Sequence, residues 1–250
     1  VVVGGWLYDF VSSKPVLYKH LLQNIKSILV ETNFLKNKLE SLGFNNVDVI
    51  PNFRITPEYV ISNHNCGSDT LYIVFMARIM HSKGIYLLFE LLEDYVKHTK
   101  DYKKKIKIDF FGPINLSDQV EFNLLIKTYA SCASYRGLLQ PDQIYYQLPK
   151  YDVLVLPTFY EGEGFPGTIL DAYLSGIPVI TTKWKQIPEF VKDGETGFLI
   201  NYELTELKTK IQLLIENEQL LSKMKNQAFN HSKSFSSEIG IDILKRAMNI

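Results

Sequence analysis

Residues 158–171 read TFYEGEGFPGTILD, which sets two carboxylates, Glu161 and Glu163, among glycines just where an apolar run gives way to a helical pattern. That helix has a clear start: Pro166 suits a first turn, residues 168–174 carry the apolar pattern and Gly176 ends it. A carboxylate at Glu163, placed just before the helix N-terminus, can accept hydrogen bonds from the hydroxyls of a neutral ligand. The backbone N–H groups of Gly164, Phe165 and Gly167 are then free for oxygens. Asp171 follows one to two turns into the helix. A second loop of this kind comes after the apolar run at 71–76, where Arg78 and Lys83 flank a turn closed by Gly84. The helical pattern that begins at Ile85 gives this turn an N-terminus that already favours an anion. A third holds Gly112 before Pro113, whose missing side chain lets a ligand approach the backbone. Singly, each feature has a plain reading: solvated loop charges for Arg78 and Lys83, a turn at Gly112, a capping acid at Glu163, a solvated helix residue at Asp171. Together they supply cations for a diphosphate, acceptors for sugar hydroxyls and an acceptor for ribose hydroxyls, which is what a sugar nucleotide needs.

The elements that must position these loops alternate in type. Strand patterns fall at 1–3, 27–30, 47–50, 71–76, 107–111, 151–157, 178–182 and 197–200. Helical patterns lie between them, with Thr32 as N-cap of 33–42 before Gly43, Ser117 as cap of 118–130, and a helix from 85 to about 98. Such alternation predicts an α/β protein with doubly wound parallel sheets, and open parallel sheets bind ligands outside the carboxyl ends of their strands. Residues 204–249 read as helices only, with Leu213, Leu214, Leu220 and Leu221 on one buried face. Between Asn52 and Thr70, prolines, a glycine and turn formers without periodicity mark a domain boundary. Residues 1–52 then end one Rossmann-like domain, 53–235 form a second that is nearly whole, and 236–250 form a returning helix. The opening VVVGG, a strand already in progress, gives the expectation of a fragment of a longer protein.

Composition narrows the class. The 250 residues are 46% hydrophobic, and 27 Lys plus Arg balance 27 Asp plus Glu, so no overall field favours nucleic acid or an anionic bilayer. Two cysteines, Cys66 and Cys132, match neither a disulfide framework nor a metal-ligand spacing, and the expected setting is a reducing cytoplasm. No apolar run approaches the roughly 18 residues of a membrane span. The KKKIK run at 103–107 reads as solvated lysines at a helix-to-strand connection, with contact to anionic lipid as the alternative. The five histidines do not cluster in sequence, and only His81, between Arg78 and Lys83, stands near the candidate loops.

VFMARIMHSKGIYLLFELL at 74–92, FFGP at 110–113, the whole of 151–182 and IPEFVKDGETGFLI at 187–200 resemble the donor domain of the retaining glycosyltransferases of family four, which have the GT-B fold. The resemblance covers about residues 25–235, with PNF at 51–53 matching the start of the family's linker. It implies that Arg78, Lys83 and Gly84 hold the donor diphosphate. It also implies that Glu163, followed by Gly164, Phe165 and Pro166, meets the donor sugar, and that Asp171, with seven residues between, meets the ribose. Three departures stand out: Asp171 replaces the usual Glu; Glu161 is an extra acid whose partner at that spacing would be Ile169; and Gly4 and Gly5 stand where many relatives carry a His or Asp. The base would meet the loop at 136–139.

The implied reaction moves a hexose or related sugar from a nucleoside diphosphate sugar to an acceptor with retention. Arg78 and Lys83 would stabilise charge on the leaving diphosphate without a metal or other cofactor. No nucleophile for a double displacement stands out, so same-face attack by the acceptor is expected. The acceptor would be a saccharide or a lipid-linked saccharide, met in the cytoplasm or at the inner face of the membrane, in surface polysaccharide or glycoconjugate synthesis. The alternatives are a non-catalytic nucleotide-binding module, or another GT-B enzyme such as a sugar-nucleotide epimerase. A fragment lacking most of the acceptor side is expected to bind nucleotide yet transfer poorly.

Overall fold

Short runs of aliphatic and β-branched residues that are buried on both faces build parallel sheets, and this chain forms two of them. The computed structural model describes residues 2–3, 7–55 and 68–248. In the first sheet, β1 (Val2–Val3), β2 (Ile28–Val30) and β3 (Val47–Val49) lie parallel in that order. Helices α1 (Leu7–Ser12), α2 (Pro15–Leu22) and α3 (Asn33–Ser41) accompany it, and Leu7, Val11, Leu35, Leu39 and Phe44 share a core with Ile28, Val30 and Val47. Thr32 caps α3 as its position predicts, its hydroxyl accepting from Leu35 N–H at 3.0 Å.

The second sheet contains β4 (Thr70–Met76), β5 (Lys105–Phe111), β6 (Ala133–Tyr135), β7 (Val153–Leu156), β8 (Val179–Thr182) and β9 (Gly197–Ile200), all parallel. Their order, β6-β5-β4-β7-β8-β9, is the doubly wound arrangement in which strand order reverses between β4 and β7, the place where such sheets bind ligands. Around it lie α4 (Ile85–Lys97), α5 (Gln119–Thr128), the single turn α6 (Ile144–Gln147) and α7 (Gly167–Leu174). The helical tail is α8 (Leu204–Glu216), α9 (Glu218–Ser232) and α10 (Ser237–Met248). Four residues of β7 and four of β8 are all buried, which explains the unbroken apolar run of β7, while in β8 the buried hydroxyls of Thr181 and Thr182 donate to Leu156 O and Thr158 O.

Several sequence expectations need correction. Ser117 does not cap α5; the N-cap is Asp118, whose carboxylate instead accepts from the backbone N–H of His81 at 3.0 Å and from the Ser117 hydroxyl at 2.7 Å. β5 begins at Lys105, two residues before the expected start, because Lys105 and Lys107 point outward between buried Ile106 and Ile108. Three of the four lysines of the KKKIK run face acids: Lys103 lies 3.7 Å from Glu216, Lys104 2.5 Å from Glu218 and Lys105 2.9 Å from Asp69. In the tail, Leu214 and Leu221 are buried while Leu213 is 36% exposed, because neighbouring residues of one helix point in different directions; Asn217 separates α8 from α9, so the tail carries no single stripe. β6, α1, α2 and α6 were not legible, being short and lacking a strong period. Cys132 is buried, and burial raises its thiol pKa; Cys66, Gly4, Gly5 and most of the proposed 52–70 boundary lie outside the described residues. Among the described residues no helix is long and apolar enough to cross a membrane.

Candidate functional site

The carboxyl ends of β4, β5 and β7 bring the three sequence-predicted loops together. Residues 77–84 leave β4 and are pinned to the loop after β5: Ile79 N–H donates to Pro113 O at 2.9 Å and Asn115 N–H to Ile79 O at 2.9 Å. Gly112 is required here by the chain itself. Its φ is 138°, and a Cβ would fall 1.8 Å from Ala77 O, so no side chain fits between the two loops. Gly84 closes the short helical turn at His81–Lys83 with φ 84°, and a Cβ there would lie 2.1 Å from Pro157 O. Phe159 N–H donates to Ser82 O at 2.8 Å, which completes the join between the β4 and β7 loops.

That join puts Lys83 beside Glu163, with Nζ donating to Oε2 at 2.6 Å. The Thr158 hydroxyl donates to the same oxygen at 2.7 Å, and the Tyr160 ring lies 4.7 Å from the ammonium. Glu163 is 6% exposed and its backbone carbonyl accepts from the Gln186 amide. It is therefore a buried, paired carboxylate, and the reading of a capping acid does not hold: Pro166 is the N-cap of α7 and gives no side-chain cap. Both bonds use Oε2, so Oε1 is left without a protein partner among the described residues. Arg78 stands exposed at the end of β4, with no side-chain partner among the described residues. Two buried hydroxyls, Ser82 Oγ in the β4 loop and Thr168 Oγ1 in the first turn of α7, have no hydrogen-bond partner among the described residues. His81 is exposed, with its ring edge-on to Phe159 at 5.1 Å.

Asp171 is also buried, at 5% exposure, and not a solvated helix residue. Its Oδ1 accepts from Arg54 Nε at 3.0 Å and from the Tyr145 hydroxyl at 3.1 Å. Burial raises the Asp171 pKa, and Arg54 and Tyr145 oppose that shift. Phe165 is buried and stacked on Phe190 at 3.7 Å. Its N–H, expected to be free, donates to Glu31 Oε2 at 3.3 Å. Glu31 stands at the end of β2, in the other sheet, and a Cβ on Gly164 would fall 2.2 Å from its Oε2. Burial raises the Glu31 pKa most; the Phe165 N–H lowers it, and nearby Glu163 raises it further. Arg54, Tyr145 and Glu31 thus join the candidate site although sequence spacing missed them, since their partners lie 117, 26 and 134 positions away with no shared motif, and Thr158, five residues before Glu163 in the same stretch, was passed over as a plain strand-end hydroxyl.

Glu161 sits apart from this cluster, exposed and paired to Lys185 at 2.6 Å. Lys185 has φ 46°, the only positive φ among described residues other than glycine. Both line a pocket of about 220 Å³ between the two sheets' units, together with Tyr8, Phe34, Lys38 and Glu163. At the 136–139 loop, Arg136 Nε donates to Asp109 Oδ2 at 3.0 Å and Leu138 is exposed, beside a groove of about 650 Å³ lined also by Tyr72 and Tyr151. Among the described residues no three His, Cys, Asp or Glu side chains gather as a metal site.

Comparison with known proteins places the chain in a family. Residues 61–231, more than half of the chain, match the family model described as glycosyl transferases group 1. An uncharacterized glycosyltransferase, MJ1178, of Methanocaldococcus jannaschii is 27% identical over 222 residues, covering 88% of this chain and 58% of the relative. The capsular polysaccharide biosynthesis glycosyltransferase CapM of Staphylococcus aureus is 25% identical over 229 residues, covering 87% of this chain and 57% of the relative. The chain thus spans a little under six tenths of the length of these curated relatives. Among solved structures, Anabaena Alr3699/HepE in complex with UDP superimposes with a TM-score of 0.77 at 19% identity, over 95% of this chain and 68% of that one. The fold is GT-B, with Rossmann-like sheets.

Proposed function

Because the chain belongs to the family of glycosyl transferases group 1, we propose that it binds a nucleoside diphosphate sugar at the β4/β7 switch point and that the protein transfers the sugar to a saccharide or lipid-linked acceptor with retention. The observation that carries this reading is the ion pair between Lys83 and Glu163 at 2.6 Å, which joins the cation-bearing loop to the acid-bearing loop. An ammonium has three N–H donors, so Lys83 can hold Glu163 and still donate to a leaving phosphate. Glu163 Oε1 accepts from a donor-sugar hydroxyl, Arg78 supplies a second cation, and Asp171 takes the ribose side. Gly84, Gly112, Gly164, Phe165 and Pro166 shape the backbone around the donor. The orphan hydroxyls of Ser82 and Thr168 support a ligand rich in oxygen atoms at this place.

In this mechanism the two cations stabilise the charge that grows on the diphosphate as the anomeric bond breaks, and the acceptor oxygen attacks from the same face. The acceptor's proton passes to the departing phosphate. The likeness to CapM, a glycosyltransferase of capsular polysaccharide biosynthesis, supports polysaccharide assembly as the setting. The test incubates the protein, its acceptor side complete, with a panel of UDP-, GDP- and ADP-sugars, with and without saccharide acceptors, and measures nucleotide release and product anomeric configuration by NMR. Acceptor-dependent release with a retained anomeric centre is expected. Inversion overturns the retaining mechanism, conversion of the donor sugar to its epimer overturns transfer, and binding without any turnover points to a non-catalytic module.

A further inference from the structure

Residues 51–54 leave β3 and pass alongside α7, and Arg54 is fixed there from several sides. Its backbone N–H donates to Phe235 O at 3.2 Å, Nη1 donates to Asn52 Oδ1 at 2.9 Å and to Phe53 O at 3.2 Å, and Nε donates to Asp171 Oδ1 at 3.0 Å. Nη2 has no hydrogen bond among the described residues. It lies against the first residue of α7, because a Cβ on Gly167 would fall 2.3 Å from it. Nε and Nη2 share one edge of the planar guanidinium, so the edge that meets Asp171 also carries the unused donor. The Arg54 side chain is 34% exposed, while that of Asp171 is 7% exposed.

Asp171 is unused on its other side. Arg54 and Tyr145 both address Oδ1, which leaves Oδ2 without a protein partner among the described residues. A guanidinium buried only to secure a carboxylate is best placed with both N–H groups of one edge on both oxygens. Here only half of that fork is closed, and one acceptor and one donor remain on the same small surface. A vicinal diol complements such a surface, since one hydroxyl can donate to the carboxylate oxygen while the other accepts from the guanidinium. The aspartate is one methylene shorter than a glutamate, and the arginine extends the polar surface that the shorter side chain would leave recessed. We propose that Arg54 is a donor-binding residue that, with Asp171, holds the ribose diol of the nucleoside diphosphate. This rests on the reading of the chain as a sugar-nucleotide-dependent transferase.

The experiment measures binding of UDP, GDP and ADP to the chain by calorimetry and repeats the tightest with its 2′-deoxy form. A ribose preference of about tenfold, the worth of a net hydrogen bond, is expected for the unaltered chain. Arg54→Met keeps the apolar stem and should weaken ribonucleotide binding by roughly tenfold while bringing the ribo-to-deoxy ratio close to one. Because this variant strands a buried carboxylate, Asp171→Asn and the double variant Arg54→Met/Asp171→Asn are measured beside it. The double variant should bind the ribonucleotide more weakly than Asp171→Asn alone. Equal affinity of those two, or an unchanged ribose preference in Arg54→Met, overturns the role of Arg54 and leaves Lys83 and Glu163 untouched. Failure of the unaltered chain to bind any of the three nucleotides overturns the donor-site reading and this inference together.

Discussion

Replacing Lys83 by alanine tests the site most directly, because its ion pair with Glu163 serves both stability and the proposed chemistry. The two side chains are 14% and 7% exposed, and the Glu163 oxygen that meets Lys83 also accepts from Thr158. Removing one partner of a buried pair leaves the other charge uncompensated, at a cost of ~3–5 kcal/mol. For a domain of this size that loss corresponds to a fall in melting temperature of roughly 6–20 °C. Neutralising both partners, as in Lys83→Met/Glu163→Gln, should recover most of the loss, since burying two neutral groups is far cheaper than burying one lone charge. Nucleotide binding should behave in the opposite way. The single and double variants should both lose ~1.5–3 kcal/mol of nucleoside diphosphate affinity, the worth of a charge-assisted hydrogen bond. Thermal melts and calorimetry on the unaltered chain, both variants and Lys103→Ala, an exposed pair, provide the comparison. The reasoning is refuted if Lys83→Ala melts no lower than Lys103→Ala, or if the double variant recovers nucleotide affinity along with stability.

Glu163→Gln should lower turnover far more than Glu161→Gln, because Glu161 is exposed and paired only to Lys185; equal kcat values for the two would remove Glu163 from the chemistry. The raised Glu31 pKa means that the folded state holds this proton more tightly than the unfolded state. Its contribution to stability is therefore full below the ordinary value of 4.5 and is lost as pH rises through the raised folded value. Glu31→Gln should thus gain stability relative to the unaltered chain above that window, and parallel melting curves from pH 4 to 7.5 would contradict it. Gly84→Ala, forced to φ 84° with its Cβ 2.1 Å from Pro157 O, should lower the melting temperature by at least about 4 °C and weaken nucleotide binding by displacing Lys83. Chelators should leave transfer unchanged, since the proposal gives the diphosphate charge to Lys83 and Arg78; loss of activity that a divalent cation restores would show that a metal shares that charge.

Much of the scaffold was legible because parallel strands buried on both faces appear as apolar runs, and because the chain must turn in a loop at the end of each run. Residues 71–76, 178–182 and 197–200 could be located in this way to within a residue of β4, β8 and β9. The turn chemistry of Gly84 and the cap at Thr32 were legible too, since left-handed φ and N-cap geometry are local demands on one residue. Where several local solutions compete, the sequence was ambiguous. Ser117 and Asp118 are both good caps, and the choice went to neither side chain, because Asp118 found a better donor in the His81 backbone. β6 is three residues at a sheet edge, too short for its period to show.

The site divides along the same line. The sequence alone determined which residues stand at strand ends, because Arg78, Lys83, Gly112 and Glu163 come after apolar runs whose burial in a parallel sheet leaves little choice of direction. Only the tertiary structure decided what those residues face. Glu163 reads as a capping acid until β7 is laid beside β4 and brings Lys83 within 2.6 Å, and Asp171 reads as a solvated helix residue until Arg54 and Tyr145 close over it. Glu31 carries no signal at all until the first sheet is set against the 164–165 loop. Burial in the sheet acts on each strand's own side chains and leaves a period in the sequence. Pairing of charges depends on the three-dimensional meeting of segments 80 and 117 residues apart, for which the chain carries no local pattern.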